Sequence, residues 1–308
     1  MESVRSTNSD LIPLPWHRAG PLPSEAVRTF VGFVIVLLLL TAAAMAPIWF
    51  GGTSTDLLGP LTPVLQWLPL VVMLGVHLIT RRGRSFLRQS AITPLRPFAP
   101  IGRAGLLVIV VLVLVPAITI AVSVGVGAEE LTIADGAAST AALILPLVVV
   151  TTVMTIGEEV AWRGYLTTLL APWGFWRAST AIAVVWSLWH LPLTATYLVD
   201  GTIPGREVLA TTVNLFLAAF VLSAVRYLSH SVWPAVLGHA LLNTVLVYAY
   251  ANLIIPTAEL DDGAYWLHHA VSWVVWAAAI TVTVALVRRT RRGTDSTDEA
   301  GADNETGA

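Results

Sequence analysis

The sequence predicts an all-α fold: a polytopic membrane helix bundle of about eight transmembrane helices. Three observations carry that expectation. First, 56% of the residues are hydrophobic and only 12% are charged, against about 25% charged in an ordinary soluble domain; mean hydropathy is +0.76. Second, the apolar residues come in long blocks such as FVGFVIVLLLLTAAAMAPIWF and LLVIVVLVLVPAITIAVSVGV. Each exceeds the roughly 18–20 residues that cross a bilayer. Third, the charges sort into alternate connections. The segment RRGRSFLRQSAITPLRPFAPIGR holds Arg81, Arg82, Arg84, Arg88, Arg96 and Arg103 and no acid, the last block ends in RRTRR, and the N-terminal segment carries Arg5, Arg18 and Arg28. The other connections are acidic, with Asp56, then Glu129, Glu130 and Asp135, then Glu259, Asp261 and Asp262. An excess of arginine marks the cytoplasmic side, so both termini are expected in the cytoplasm, in agreement with an even number of spans.

Taken in order, residues 1–26 form a polar, proline-rich cytoplasmic segment containing NSDLIPLPWHRAGPLPSE. The apolar block that follows is long enough to span, which argues against a cleaved signal peptide. Spans are expected at about 27–49, 60–80, 104–126, 138–157 (with a continuation toward 171), 178–198, 207–226, 232–250 and 265–287. The transmembrane domain is thus 27–287. Residues 288–308 end in GTDSTDEAGADNETGA; this polar stretch without aromatics is expected to be a disordered cytoplasmic tail. The 12 tryptophans are accounted for mainly by interfacial anchoring and packing. With no cysteine in the chain, disulfides, iron–sulfur clusters and thiol nucleophiles are excluded.

Ionisable groups inside the spans need a separate reason, because each costs roughly 2.5–3.5 kcal/mol or more when it faces lipid. They cluster in three stretches: GEEVAWRGYL with Glu158, Glu159 and Arg163; VVWSLWHLPL with His190; and WPAVLGHALLNTVL with His239 and Asn243. Glu159 and Arg163 are four apart and share a helix face as an ion pair. Glu158 is turned by about 100° and points elsewhere. His239 and Asn243 again share a face. Counted from the expected inner ends, the three sites lie roughly 10–20 Å deep, so they can meet at one level in the inner half of the membrane. His77 is expected near an interface in a structural role, His268 and His269 at the outer interface, and His230 in a solvated inner loop.

A carboxylate, two imidazoles and a carboxamide form a hydrolytic set. Glu158 could deprotonate a water, histidines could position it or protonate a leaving amine, and Asn243 could donate to a developing oxyanion. Glu158, His190 and His239 could equally supply three zinc ligands with a fourth position open. There is no H-E-x-x-H and no G-x-S-x-G. The same groups could line a proton path in a transporter, although no internal repeat is evident, or serve a non-catalytic immunity or partner protein.

The motifs have a family likeness. EEVAWR resembles the E-E-x-x-x-R motif of the CPBP intramembrane proteases (the Abi family), which include the type II CAAX prenyl endopeptidases. WSLWH is similar to that family's second motif, with Trp186 where Phe is usual, a change expected to alter packing rather than chemistry. HALLN fits its third, H-x-x-x-N. The likeness covers the middle four spans, about 138–250. It implies a helical fold with a conical intramembrane catalytic cavity open to the cytoplasm, and peptide hydrolysis by a glutamate-activated water. Glu158 would be the base, Glu159 its neighbour held by Arg163, His190 would position the water, and His239 and Asn243 would complete the water or oxyanion site. Both metalloprotease and metal-free glutamate mechanisms are described for members, so zinc stays open. The expected partners are membrane lipid and a peptide or protein substrate in or near the membrane, with no nucleic acid. The lack of lysine beside abundant Arg, Ala and Val points to a GC-rich bacterial gene, hence a bacterial plasma membrane, and weighs against a prenyl-CAAX substrate without naming another.

Overall fold

The structure is a computed structural model that describes residues 11–51, 55–80 and 85–305, with side chains within 11–51, 56–80 and 85–291. Arg5, Arg81, Arg82 and Arg84 lie outside the described residues. Among the described residues eight helices are long and apolar enough to cross a membrane: α1 (Ser24–Phe50), α2 (Leu58–Thr80), α3 (Phe98–Gly125), α4 (Ile144–Leu169), α5 (Ala171–Val199), α6 (Gly205–Ser229), α7 (Trp233–Asn252) and α8, whose membrane-length part is Asp262–Arg291 within a helix drawn from Asp262 to Glu305. Proline sets several starts. Pro23, Pro97 and Pro204 each precede a first turn, and Pro234 sits inside one, where a missing N–H costs nothing. α6 stops at His230, which adopts a left-handed conformation with φ 54°.

Backbone contacts sort the connections into two ends. At one end the N-terminal segment packs on the start of α5: Ala19 N–H donates to the Pro172 carbonyl (2.9 Å) and Phe175 N–H to that of Trp16 (3.0 Å). The segment before α3 joins the same end, where Val232 N–H donates to the Ala91 carbonyl (3.1 Å). At the other end Thr132 N–H donates to Leu253 and Ala134 N–H to Asn252. There the Arg206 guanidinium meets Asp262 at 2.6 Å and the Leu260 carbonyl at 2.7 Å. The arginine-rich and acidic connections therefore occupy opposite ends.

α4 lies at the centre. Its residues 157–169 are all buried, and α6 is buried continuously from Ala218 to Ser229. By contrast α1, α2 and α3 expose long apolar faces, including Ile35, Leu39, Val64, Val71 and Leu106, as helices facing lipid must. α4 starts later than the expected 138 and takes the expected continuation toward 171. A short helix, Ala137–Ala142, precedes it and starts at Gly136 with φ 82°. α4 itself then runs past the glutamates to Leu169. Hydropathy marks an end where charge begins, but charges with internal partners need not leave the membrane. α5 likewise begins earlier than 178, because the Phe175 ring stacks on Trp16 at 4.5 Å. His268 and His269, expected at the outer interface, are both buried inside the protein, with Glu129 of the acidic connection against His268. His230 is only partly exposed, because the N-terminal segment folds over it; it is not a solvated loop residue.

Candidate active site

The site is built where α4, α5 and α7 meet. α4 changes from α-helix to a wider π turn over Val160–Leu166, directly after the glutamate pair. A π turn redirects the side chains on either side of it and often marks functional sites. Close packing fixes its position. A Cβ on Gly157 would overlap the Gln66 carbonyl oxygen and lie 2.5 Å from Trp67 Cα, and one on Gly164 would overlap the Ser90 carbonyl. These two glycines let α4 touch the backbones of α2 and of the connection before α3.

Glu159 and Arg163 are fully buried and joined through Oε1 and Nη1 at 2.8 Å. The same Glu159 oxygen accepts a hydrogen bond from His239 Nδ1 at 2.9 Å. Glu159 is thus committed to holding two cationic or proton-donating groups, which ties α4 to α7; Thr155 adds a hydroxyl bond to the Val236 carbonyl (3.2 Å). Glu158, 1% exposed, turns to α5 instead, where the Trp186 indole N–H donates to its Oε2 at 2.8 Å. Its Oε1 carries no hydrogen bond among the described residues.

Trp186 is the residue whose role the sequence did not reveal. Beyond its bond to Glu158, its ring lies under the Arg163 guanidinium at 4.2 Å. It also meets the rings of His190 and His239 edge-on, with centroids 5.3 and 5.4 Å away. The Phe-to-Trp departure was expected to affect packing alone; it adds a donor that binds the carboxylate. His190 sits at the break between two segments of α5, two residues before Pro192. Its Nδ1 is 2.8 Å from the Trp186 carbonyl, so that nitrogen carries the proton and Nε2 is left open. In His239 the bond to Glu159 places the proton on Nδ1 in the same way.

Asn243 stands apart. Residues Leu242–Leu246 form a second π turn, which rotates the chain beyond His239. His239 is buried while Asn243 is exposed and has no hydrogen bond among the described residues. His77, buried at the end of α2, pairs through Nδ1 with the Tyr165 hydroxyl at 3.1 Å and supports the back of the π turn. Arg226 escaped notice in the sequence because it lies near the end of a span, where arginine reads as a topology signal. It is fully buried, with Nε donating to the Arg163 carbonyl at 3.0 Å and Nη2 to Thr168 Oγ1 at 3.2 Å.

The engaged Nδ1 atoms of both histidines are what a metal-ligating imidazole needs. Yet among the described residues no three His, Cys, Asp or Glu side chains come together as a group that could hold a metal ion. As arranged, Glu158, His190 and His239 do not fit a zinc centre. What the cluster does offer is a buried carboxylate with one oxygen unengaged and two oriented imidazoles around one indole.

Residues 140–245 match the family model described as Rce1-like, Type II CAAX prenyl endopeptidase Rce1-like. No curated protein matches the chain. The matched stretch holds Glu158, Glu159, Arg163, His190, His239 and Asn243, and α1 to α3 lie outside it.

Proposed function

From the match of residues 140–245 to the Rce1-like family model of type II CAAX prenyl endopeptidases, we infer that this integral membrane protein is an intramembrane endopeptidase in which Glu158 activates the attacking water. One observation carries the reading: of two adjacent buried glutamates, Glu159 is tied through one oxygen to both Arg163 and His239, with its other oxygen buried and unpartnered, while Glu158 makes no ion pair among the described residues and is held by the Trp186 indole alone.

In this mechanism a water bound to Glu158 Oε1 gives its proton to the carboxylate as its oxygen attacks the peptide carbonyl carbon. The C–O bond forms, and negative charge collects on the former carbonyl oxygen. His190 Nε2 orients the water. Donors to the oxyanion come from the Asn243 amide and, once its ring carries a second proton, from His239 Nε2–H. The C–N bond then breaks and Glu158 returns the proton to the departing amine, so one water becomes a new carboxyl and a new amine. No step uses a metal. The arginine-rich end faces the cytoplasm by the positive-inside rule, which places the site in the inner half of the membrane. The substrate is a membrane-anchored or membrane-proximal peptide; the prenylated CAAX end in the family's name is one member of that class.

The test is cleavage of a quenched fluorescent peptide library by protein reconstituted in liposomes. Glu158→Gln keeps an acceptor for Trp186 but cannot take a proton. It should cut turnover by about 10²–10⁴-fold, the usual contribution of a general base, with the unfolding temperature little changed. Glu159→Gln should lower the unfolding temperature clearly, since it strands Arg163. Undiminished cleavage by a folded Glu158→Gln protein would sink the reading.

A further inference from the structure

α5 is not one continuous helix. Its first segment ends at Trp189, its second begins at Leu191, and His190 lies between them with Pro192 just beyond. Pro192 has no N–H for the backbone ladder, and a break at a proline is a weak point in a helix. The direction of the His190 ring is then set by whatever holds its two flanks. α1 holds both. On the near flank the Trp189 Nε1–H donates to Thr41 Oγ1 at 2.8 Å. On the far flank the Trp49 Nε1–H donates to Thr196 Oγ1 at 2.8 Å. Each hydroxyl gives its own proton to a carbonyl one turn back, Thr41 to Leu37 (2.8 Å) and Thr196 to Pro192 (2.7 Å), so each turns a lone pair to the indole. Thr41 and Trp49 are about two turns apart on α1, as are Trp189 and Thr196 on α5, so the two bonds run side by side across the break.

Thr41 lies in the buried stripe of α1, with Phe33, Leu37 and Met45 at spacings of four. Phe33 meets the Trp162 ring of the α4 π turn edge-on at 5.3 Å, and Trp162 lies 6.0 Å from Trp189. The Trp189 ring in turn meets His190 edge-on, with centroids 4.8 Å apart. Hydrogen bonds between helices in a membrane fix which faces meet. We propose that α1 splints the break in α5 and that Thr41 is a positioning residue for His190. By fixing the Trp189 indole it keeps the His190 ring in one orientation, with Nδ1 on the Trp186 carbonyl and Nε2 turned to the water that Glu158 activates. In that last respect the inference rests on the hydrolytic reading. α1 lies outside residues 140–245, so the site takes a supporting part from beyond the matched stretch.

The test compares three variants of the full chain. Thr41→Val keeps the shape and removes the acceptor, Thr41→Ser keeps the acceptor, and Trp49→Phe removes the donor on the other flank. Peptide cleavage in liposomes gives kcat and KM. Nitrogen-15 histidine NMR in detergent gives the state of His190, whose signal is identified by its loss in His190→Gln. Thr41→Val should lower kcat about tenfold or more, toward the roughly 10²-fold that follows a 1 Å misplacement, with KM little changed. Thr41→Ser should recover most of that rate. The His190 Nδ1 signal should be that of a hydrogen-bonded N–H in the parent and in Thr41→Ser, and shift toward a mixture of the two tautomers in Thr41→Val. Trp49→Phe should move both readouts the same way, and it carries the test if Thr41→Val fails to fold. The NMR readout needs no turnover, so an inactive parent would remove the hydrolytic reading and still leave the hold of Thr41 on His190 measurable. A folded Thr41→Val protein with the parent's His190 signal, or with the kcat of an active parent, overturns the proposal. So does a loss of kcat that Thr41→Ser shares in full, which would assign Thr41 to packing through its methyl group.

Discussion

Trp186 touches Glu158, Arg163, His190 and His239 at once, so a single side chain sets the mutual placement of α4, α5 and α7 groups. Trp186→Phe keeps the ring and loses only the N–H. Hydrogen bonds to charged groups are worth about 1.5–3 kcal/mol, so turnover should fall about tenfold or more in the peptide assay while the protein still folds. A rate equal to the parent's would assign Trp186 to packing alone. Arg226 acts one layer further out. Arg226→Met removes the donor to the buried Arg163 carbonyl, which should cost about 1–3 kcal/mol. Thermal unfolding in detergent should show the loss, with turnover falling less than in Glu158→Gln.

α4 can carry two glutamates and an arginine through the bundle because none of them reaches lipid. The π turn at Val160–Leu166 places Arg163 between Glu159 and Trp186, and frees the Arg163 carbonyl for Arg226. The helix is held in that position by backbone contact at Gly157 and Gly164. Gly157→Ala puts a methyl into the Gln66 carbonyl and Trp67 Cα, neither of which is a flexible side-chain end. It should destabilise by about 1–3 kcal/mol, as overpacking does, and displace the glutamate pair. An unfolding temperature equal to the parent's would show that α2 can yield. The sequence showed these glycines as letters in a motif; it did not show that other backbones lie against them.

Across the whole molecule, the acidic end has its own buried pair. The Glu129 side chain has no exposed area and lies 3.3 Å from His268 Nδ1, although the geometry is not that of a hydrogen bond. Burial pushes Glu129 up from 4.5 to about 7. Between those values the folded chain holds a proton that the unfolded chain releases, so this group favours folding below about 4.5 and loses that contribution as pH rises through about 7. His230, held down to about 4 from 6.5, acts in reverse: its contribution is present above 6.5 and lost as pH falls toward 4. From pH 6.5 to about 7.5 the His230 contribution is constant and only that of Glu129 changes, so stability should decline. Glu129→Gln should flatten that decline in unfolding temperature; an unchanged pH profile would refute the assignment. The sequence by itself determined the eight expected spans, their alternate charge and the need for Glu158, Glu159, Arg163 and His239 to be internal, because hydropathy and the cost of charge in lipid are local properties of the chain. Only the tertiary structure decided that Glu159 is shared between Arg163 and His239, that Trp186 binds Glu158, that a second π turn separates Asn243 from His239, and that His268 is buried. Those outcomes depend on which helices touch and on where a turn widens, which the 3.6-residue period does not carry.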